Sequence, residues 1–199
     1  MQRLRNTRAS EHVRPGRARL TIACVAVAAG LKLPIVKYLQ PQRISAETFK
    51  PFGQVIGPTA DGKEFDAEDA QLVLDKGTPR FYIMRLPKKG LRFHRITYHA
   101  QCTQCLGSLQ PMGRWFLAVA APTMSVQQYP KEKDITVFEI PHGCFVKMKE
   151  GTWHAGPLFF ESEYMDFYNL ELNDTNVVDH NTHDYRKINN IQFDIMRPL

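Results

Sequence analysis

Eight aromatic and β-branched runs, separated by turn residues, fill the chain from residue 80 to residue 196, and they constrain its fold more than any other feature. They are RFYIMRL (80–86), RFHRITYH (92–99), TQCLGSL (103–109), RWFLAVAAP (114–122), ITVFEIP (135–141), CFVKMKE (144–150), YMDFYNLEL (164–172) and IQFDIM (191–196). Several alternate apolar with polar residues, which is the period of a half-buried strand, and almost nothing in this region repeats with helical spacing. Short strands at roughly 8–15-residue spacing predict an all-β sandwich or barrel. Upstream, Ser45 opens a short amphipathic stretch that ends at Pro51 and Gly53, so one short helix is expected there. Residues 57–79 are rich in Gly, Asp, Glu and Pro and read as a long loop. A closed barrel of this kind leaves an interior able to hold a small ligand.

The net charge of +6 would suggest an anionic partner if it were spread over the domain. It is not. Residues 1–31 hold six arginines and a single acid, Glu11, which leaves 20 basic against 19 acidic groups in residues 32–199. A nearly neutral body lacks the clustered cations that nucleic acid demands, so no nucleic-acid partner is expected. Residues 1–31 therefore read as an extension to a domain spanning 32–199. Its arginines lead into the apolar run LTIACVAVAAGL (20–31), which is shorter than the about 20 residues of a membrane span, so no membrane partner is expected either. The extension is open to three readings: an organellar transit peptide, a secretory signal, or a disordered segment without function. Cys102, Cys105 and Cys144 leave an odd number of thiols in the body, which fits a reducing, intracellular and cytoplasmic setting, organellar targeting by residues 1–31 being the alternative.

The stretch KEGTWHAGPLF (149–159) sets His154 between an indole and a run of small and apolar residues. Reading back from it, Gly143, Lys149, Gly151 and His154 are spaced as in the second signature of the cupin superfamily, G-x5-P-x-G-x2-H-x3-N, with Lys149 in the proline position and Leu158 in the asparagine position. ITYHAQCTQCLGSL resembles the first signature, with Thr97 for the first histidine, His99 for the second and Gln104 for the glutamate. The two lie in order some 50 residues apart, so the fold expected is a cupin-like double-stranded β-helix, a jelly-roll barrel with a short N-terminal helix. The cupin metal set is reduced here to Thr97, His99, Gln104 and His154. Two imidazoles, an amide and a hydroxyl make a poor site for a transition ion, so no cofactor is expected and any divalent metal at His99 and His154 should bind weakly.

A narrower resemblance covers almost the whole body. LKLPIVKYLQPQRISAETFKPFGQVI, FYIMRLP, YHAQCTQCLGSL, GTWHAGPLF and MDFYNLELNDTNVVDH look like successive segments of the ureidoglycolate lyase family, and of its plant-type branch in particular. Bacterial members carry a glutamate-arginine-histidine-proline turn where this chain has Thr97, Tyr98, His99 and Ala100. They carry two histidines after the tryptophan where this chain has His154 and Ala155. The family's late aspartate matches Asp166, and a second acid matches Glu171. The resemblance implies a homodimer and the cleavage of (S)-ureidoglycolate to glyoxylate and urea in allantoin and purine catabolism. The alternative is a cupin that binds a small molecule without turning it over, or that acts on a different substrate.

Cleaving such a hemiaminal needs a base for the hydroxyl proton, an acid for the departing urea nitrogen and an anchor for the carboxylate. A histidine can serve as acid or base near neutral pH, contributing about 10²–10⁴-fold. The assignment that follows gives proton transfer to His154, with His99 as its partner or orienting donor. Gln104 bonds the ureido or hydroxyl group, and Arg85 pairs with the carboxylate in bidentate fashion. Asp166 then fixes a histidine tautomer or an arginine. Spacing alone fits Arg85 equally as a solvated strand arginine, and leaves Asp166 on either the barrel interior or the solvent face. The pair Cys102 and Cys105 reads as structural, because no second C-x2-C exists. The tail residues Asp179, His180, His183 and Asp184 read as a metal nest, as a polar loop closing the barrel or as a dimer contact.

Overall fold

The structure, a computed structural model, describes residues 32–198. The expectations placed on residues 1–31 lie outside the described residues. The described residues from Pro34 onward form one compact unit, and the all-β expectation holds. Fourteen strands are present among the described residues: β1 (Ile35–Leu39), β2 (Pro41–Arg43), β3 (Gly53–Ile56), β4 (Pro79–Pro87), β5 (Arg92–Phe93), β6 (Arg95–Tyr98), β7 (Gln104–Ser108), β8 (Trp115–Ala120), β9 (Thr136–Ile140), β10 (Phe145–Met148), β11 (Trp153–Leu158), β12 (Tyr164–Leu172), β13 (Asn181–Asp184) and β14 (Ile191–Ile195). Three one-turn helices interrupt them: α1 (Ala46–Phe49), α2 (Thr175–Val178) and α3 (Tyr185–Ile188).

The strands form a six-stranded sheet of order β13-β6-β11-β8-β9-β2, a five-stranded sheet of order β3-β10-β7-β12-β4 and a small sheet of order β1-β14-β5. The six-stranded sheet is buried on both faces, and β8 shows how. Its alternate residues Trp115, Leu117 and Val119 enter a core shared with the five-stranded sheet, together with Leu106, Val146, Met148 and Phe167. Phe116, Ala118 and Ala120 enter a second core on the other face, filled by Phe93 and Phe193 of the small sheet and by Tyr185. A strand covered on both sides reads as an unbroken apolar run, as WFLAVA does.

Helix α1 matches its expectation. Ser45 caps it by accepting from the Thr48 amide, and the Thr48 hydroxyl accepts from the Ser45 amide. Its Phe49 is buried edge-on to Phe138 at 5.4 Å, which pins the turn over the open end of the shared core. The expected loop is present over residues 57–78, Pro79 already opening β4, and Gln54 ties it down by donating to the carbonyls of Ala67 and Asp69. Among the described residues no helix is long and apolar enough to cross a membrane.

Candidate functional site

A cavity of about 720 Å³ opens between the two large sheets at the end opposite their aromatic core. The pleat places its polar lining. On β6 and its continuation, Ile96 and Tyr98 turn into the second core, so Thr97 and His99 turn the other way, into the cavity. On β11, Trp153 and Ala155 turn into the second core and His154 into the cavity. The five-stranded sheet supplies Gln104 from β7, Asn169 and Glu171 from β12, and Tyr82 from β4. His154 lies across from Thr97 in the β11–β6 ladder.

The approach to His154 is fixed by Gly151. Its φ of 78° is a left-handed conformation, and a Cβ there would stand 2.6 Å from the Thr123 carbonyl. Gly151 also donates its amide to the His99 carbonyl at 2.6 Å, so one residue ties both histidine segments together. The Trp153 indole is fully buried and donates to the Thr123 hydroxyl at 2.7 Å.

The rings of His99 and His154 lie 5.1 Å apart, centre to centre, and His180 of the tail stands 6.0 Å from His99. The His99 Nδ1 is 2.7 Å from the Asp179 carbonyl, and the His154 Nδ1 is 3.2 Å from the Thr152 carbonyl. A carbonyl only accepts, so each Nδ1 carries the proton and each neutral ring keeps its Nε2 lone pair. Burial disfavours the charged form of both rings. It pushes His154 down to about 3, with His99 beside it adding to the effect, and it lowers His99 despite the opposing pull of Asp179. Near neutrality the site therefore presents two bases.

Asp179 holds His99 in place. Its carboxylate accepts from the amides of Ala100 and Gln101 at 2.9 and 2.7 Å and from the Asn181 side chain, while its carbonyl accepts from the His99 Nδ1–H. Opposite the imidazoles, Glu171 is buried and accepts three hydrogen bonds, from Gln104 Nε2 at 2.9 Å, Tyr82 Oη at 3.1 Å and Asn176 Nδ2 at 2.9 Å. Basic side chains gather at the cavity mouth. Arg95 and His94 both contact Asp184 at 3.1 Å. Lys89 and Lys187 line the cavity, are exposed, and form no ion pair among the described residues.

Of the residues expected from the sequence, His99, His154 and Gln104 meet in this cavity. Arg85 and Asp166 do not. They face each other across the β4–β12 ladder on the outer side of the five-stranded sheet, joined by two 2.8 Å bonds, with Arg85 largely in solvent and laid over the Tyr164 ring. The physical reason is phase: Met84 and Phe167, their neighbours in sequence, take the inward positions, so both charged groups turn out. Arg85 and Asp166 thus lie outside this cavity, and of the two partners expected for Asp166 it takes the arginine, Arg85. The tail divides as well. His180 lines the cavity, whereas His183 stacks on Tyr129 at 3.5 Å and bonds Asn189. Among the described residues no group of three or more His, Cys, Asp or Glu side chains is arranged to hold a metal ion. Cys102, Cys105 and Cys144 are free thiols, and burial pushes Cys105 up to about 12, which leaves it a poor nucleophile.

Tyr82 and Asn169 carried no assignment from the sequence, His180 was read only as part of the tail, and Glu171 was noted only as an acid. The alternation in YMDFYNLEL groups Phe167, Asn169 and Glu171 on one face, which was the signal available. A scan of protein-family models found no match to this chain, and a search of curated proteins found none similar to it.

Proposed function

We propose that this chain is a cupin-type jelly-roll lyase that cleaves (S)-ureidoglycolate to glyoxylate and urea without a metal. The observation that carries this reading is the pair of neutral imidazoles sharing one cavity, each with Nδ1 held by a backbone carbonyl and Nε2 left to act as a base. The resemblance of FYIMRLP, YHAQCTQCLGSL, GTWHAGPLF and MDFYNLELNDTNVVDH to the ureidoglycolate lyase family supports it independently, and brings with it the expectation of a homodimer.

In the mechanism that follows, His154 Nε2 removes the hydroxyl proton of the hemiaminal. The oxygen lone pair forms the glyoxylate carbonyl as the C–N bond breaks, and the bonding pair goes to the urea nitrogen. The imidazolium just formed is strongly acidic in its buried setting, so it returns the same proton to that nitrogen. One residue thus acts in turn as base and acid, and no separate protonated group is required. Lys89 and Lys187 at the mouth supply positive charge for the substrate carboxylate, the role that the sequence had suggested for Arg85.

The test is urea and glyoxylate release from (S)-ureidoglycolate by the full chain with EDTA present, corrected for spontaneous decay of the substrate. The expected result is turnover that His154→Ala lowers by about 10²–10⁴-fold. Ligand binding with no turnover above background by the folded protein would sink the lyase reading and leave a binding protein.

A further inference from the structure

Two buried oxygen atoms at the polar end of the cavity have no partner in the protein: Oε1 of Gln104 and Oδ1 of Asn169. Both residues line the cavity, 7% and 2% exposed respectively. A buried acceptor left unpaired costs about 1–3 kcal/mol, so two in adjacent strands call for an explanation.

Glu171 provides one. As a carboxylate it can only accept, so every group around it must turn a donor toward it. Gln104 gives its Nε2 to Glu171 Oε2; the reversed amide would set oxygen against oxygen. Tyr82 has a single hydroxyl proton and gives it to Glu171 Oε1, so its oxygen is free only to accept, and Asn169 must turn its Nδ2 toward it at 3.1 Å. The chain of donors runs from Asn169 through Tyr82 to Glu171, and directly from Gln104 to Glu171. Neither amide can reverse without breaking it. Each is therefore left with its carbonyl as the group that lacks a partner. Across the cavity, the Nε2 atoms of His99 and His154 are acceptors too.

We infer that Glu171 is a positioning residue which locks the Gln104 and Asn169 carbonyls as acceptors for the ligand, so that the site selects a small molecule bearing a terminal NH₂ group over one bearing a methyl in its place. The inference rests on the proposed use of this cavity as a small-molecule site, and adds which atoms read the ligand. It gives Asn169 and Glu171 roles that the reaction itself does not assign. A ureido or carboxamide head satisfies the array, because its NH₂ offers two protons in one plane to two fixed oxygens. A methyl group of the same size leaves both oxygens unpaired, which is the condition under which a polar site discriminates most strongly.

The experiment is isothermal titration of the full chain with two stable carboxylates of nearly identical shape, N-carbamoylglycine and N-acetylglycine, which differ only in NH₂ against CH₃. The wild-type protein is expected to prefer N-carbamoylglycine by about tenfold or more. Asn169→Leu, which removes one orphaned acceptor and should fold at least as well, is expected to bring the preference to within about twofold. Glu171→Gln should lower it as well, because an amide at 171 presents both a donor and an acceptor and releases the fixed orientation. Equal affinity for the two probes, a preference unchanged in Asn169→Leu, or binding of neither probe would overturn the inference. The lyase reading fails separately: a protein that prefers N-carbamoylglycine but releases no urea from (S)-ureidoglycolate keeps the acceptor array and loses the proposed reaction.

Discussion

The space between the two large sheets has two ends, built from the same strands with opposite side chains. Along β12 the inward residues run Met165, Phe167, Asn169 and Glu171. On β4 they run Leu86, Met84 and Tyr82, and on β7 Leu106 and Gln104. β12 and β4 change from apolar to polar at one level, where Asn169 faces Tyr82, and β7 changes one inward position later, Leu106 still facing Asn169. At the apolar end Trp115 meets Phe167 edge-on at 5.2 Å with Phe159 close by, and the space is filled. At the polar end the side chains turn to one another for hydrogen bonds, and a cavity remains. The comparison teaches that the pleat decides where a side chain points, while its identity decides whether the space is core or site.

The sharpest way to break this comparison is to treat neighbours on one strand alike. Phe167→Ala is expected to cost about 3–5 kcal/mol in urea unfolding, the range for truncating a buried aromatic. Asn169→Leu, one inward position further along, is expected to change stability by no more than about 1 kcal/mol, because the apolar group removes an unpaired acceptor along with its bond to Tyr82. Similar losses at both positions would mean that the polar end is merely more core.

Acid should separate the ends next. The unfolded chain protonates His154 near pH 6.5, whereas the folded protein resists until about 3. Between these values the unfolded state binds the proton that the folded state refuses, so stability falls as pH drops from 6.5 toward 3 and is unaffected by this group above 6.5. The slope due to one such group reaches about 1.4 kcal/mol per pH unit. Subtracting the unfolding curve of His154→Gln from that of the wild type isolates it, and a flat difference would refute the buried neutral imidazole. The smallest effect is expected on the outer face. Arg85→Ala should cost less than about 1 kcal/mol, as exposed ion pairs do, and should leave urea release unchanged. A loss of activity would return Arg85 to the site.

How much of this was legible in the sequence follows from what alternation can report. It marked the long runs that became β4, β7, β8, β9, β10, β12 and β14, and it grouped residues by face. The run at 92–99 became two strands because the chain changes sheets at His94, β5 pairing with β14 and β6 with β11 and β13. The short strands β1, β2, β3 and β13 were not foreseen, since three to five residues with mixed polarity carry no period. β11 was hidden by glycine and proline within WHAGPL. In the site, His99, His154 and Gln104 were found because they sit at recognisable spacings. Arg85 and Asp166 were assigned to the site but lie outside it, an outcome that spacing had left open because a period of two separates the faces of a strand without saying which one is inside. Asn169 was overlooked, and Glu171 noted without a place, for the converse reason: inward polar residues look like solvent-facing ones until the sheet opposite is in view.

The double burial of β8 has a consequence for how the domain opens. Its amides lie beneath one core on each side and between neighbouring strands at both edges, and Trp115 through Ala120 are all inaccessible. No local fraying uncovers such a strand, so deuterium reaches it only when the whole molecule comes apart. The six residues WFLAVA are in that sense a clock for global unfolding, and they lie in the same sheet as His154.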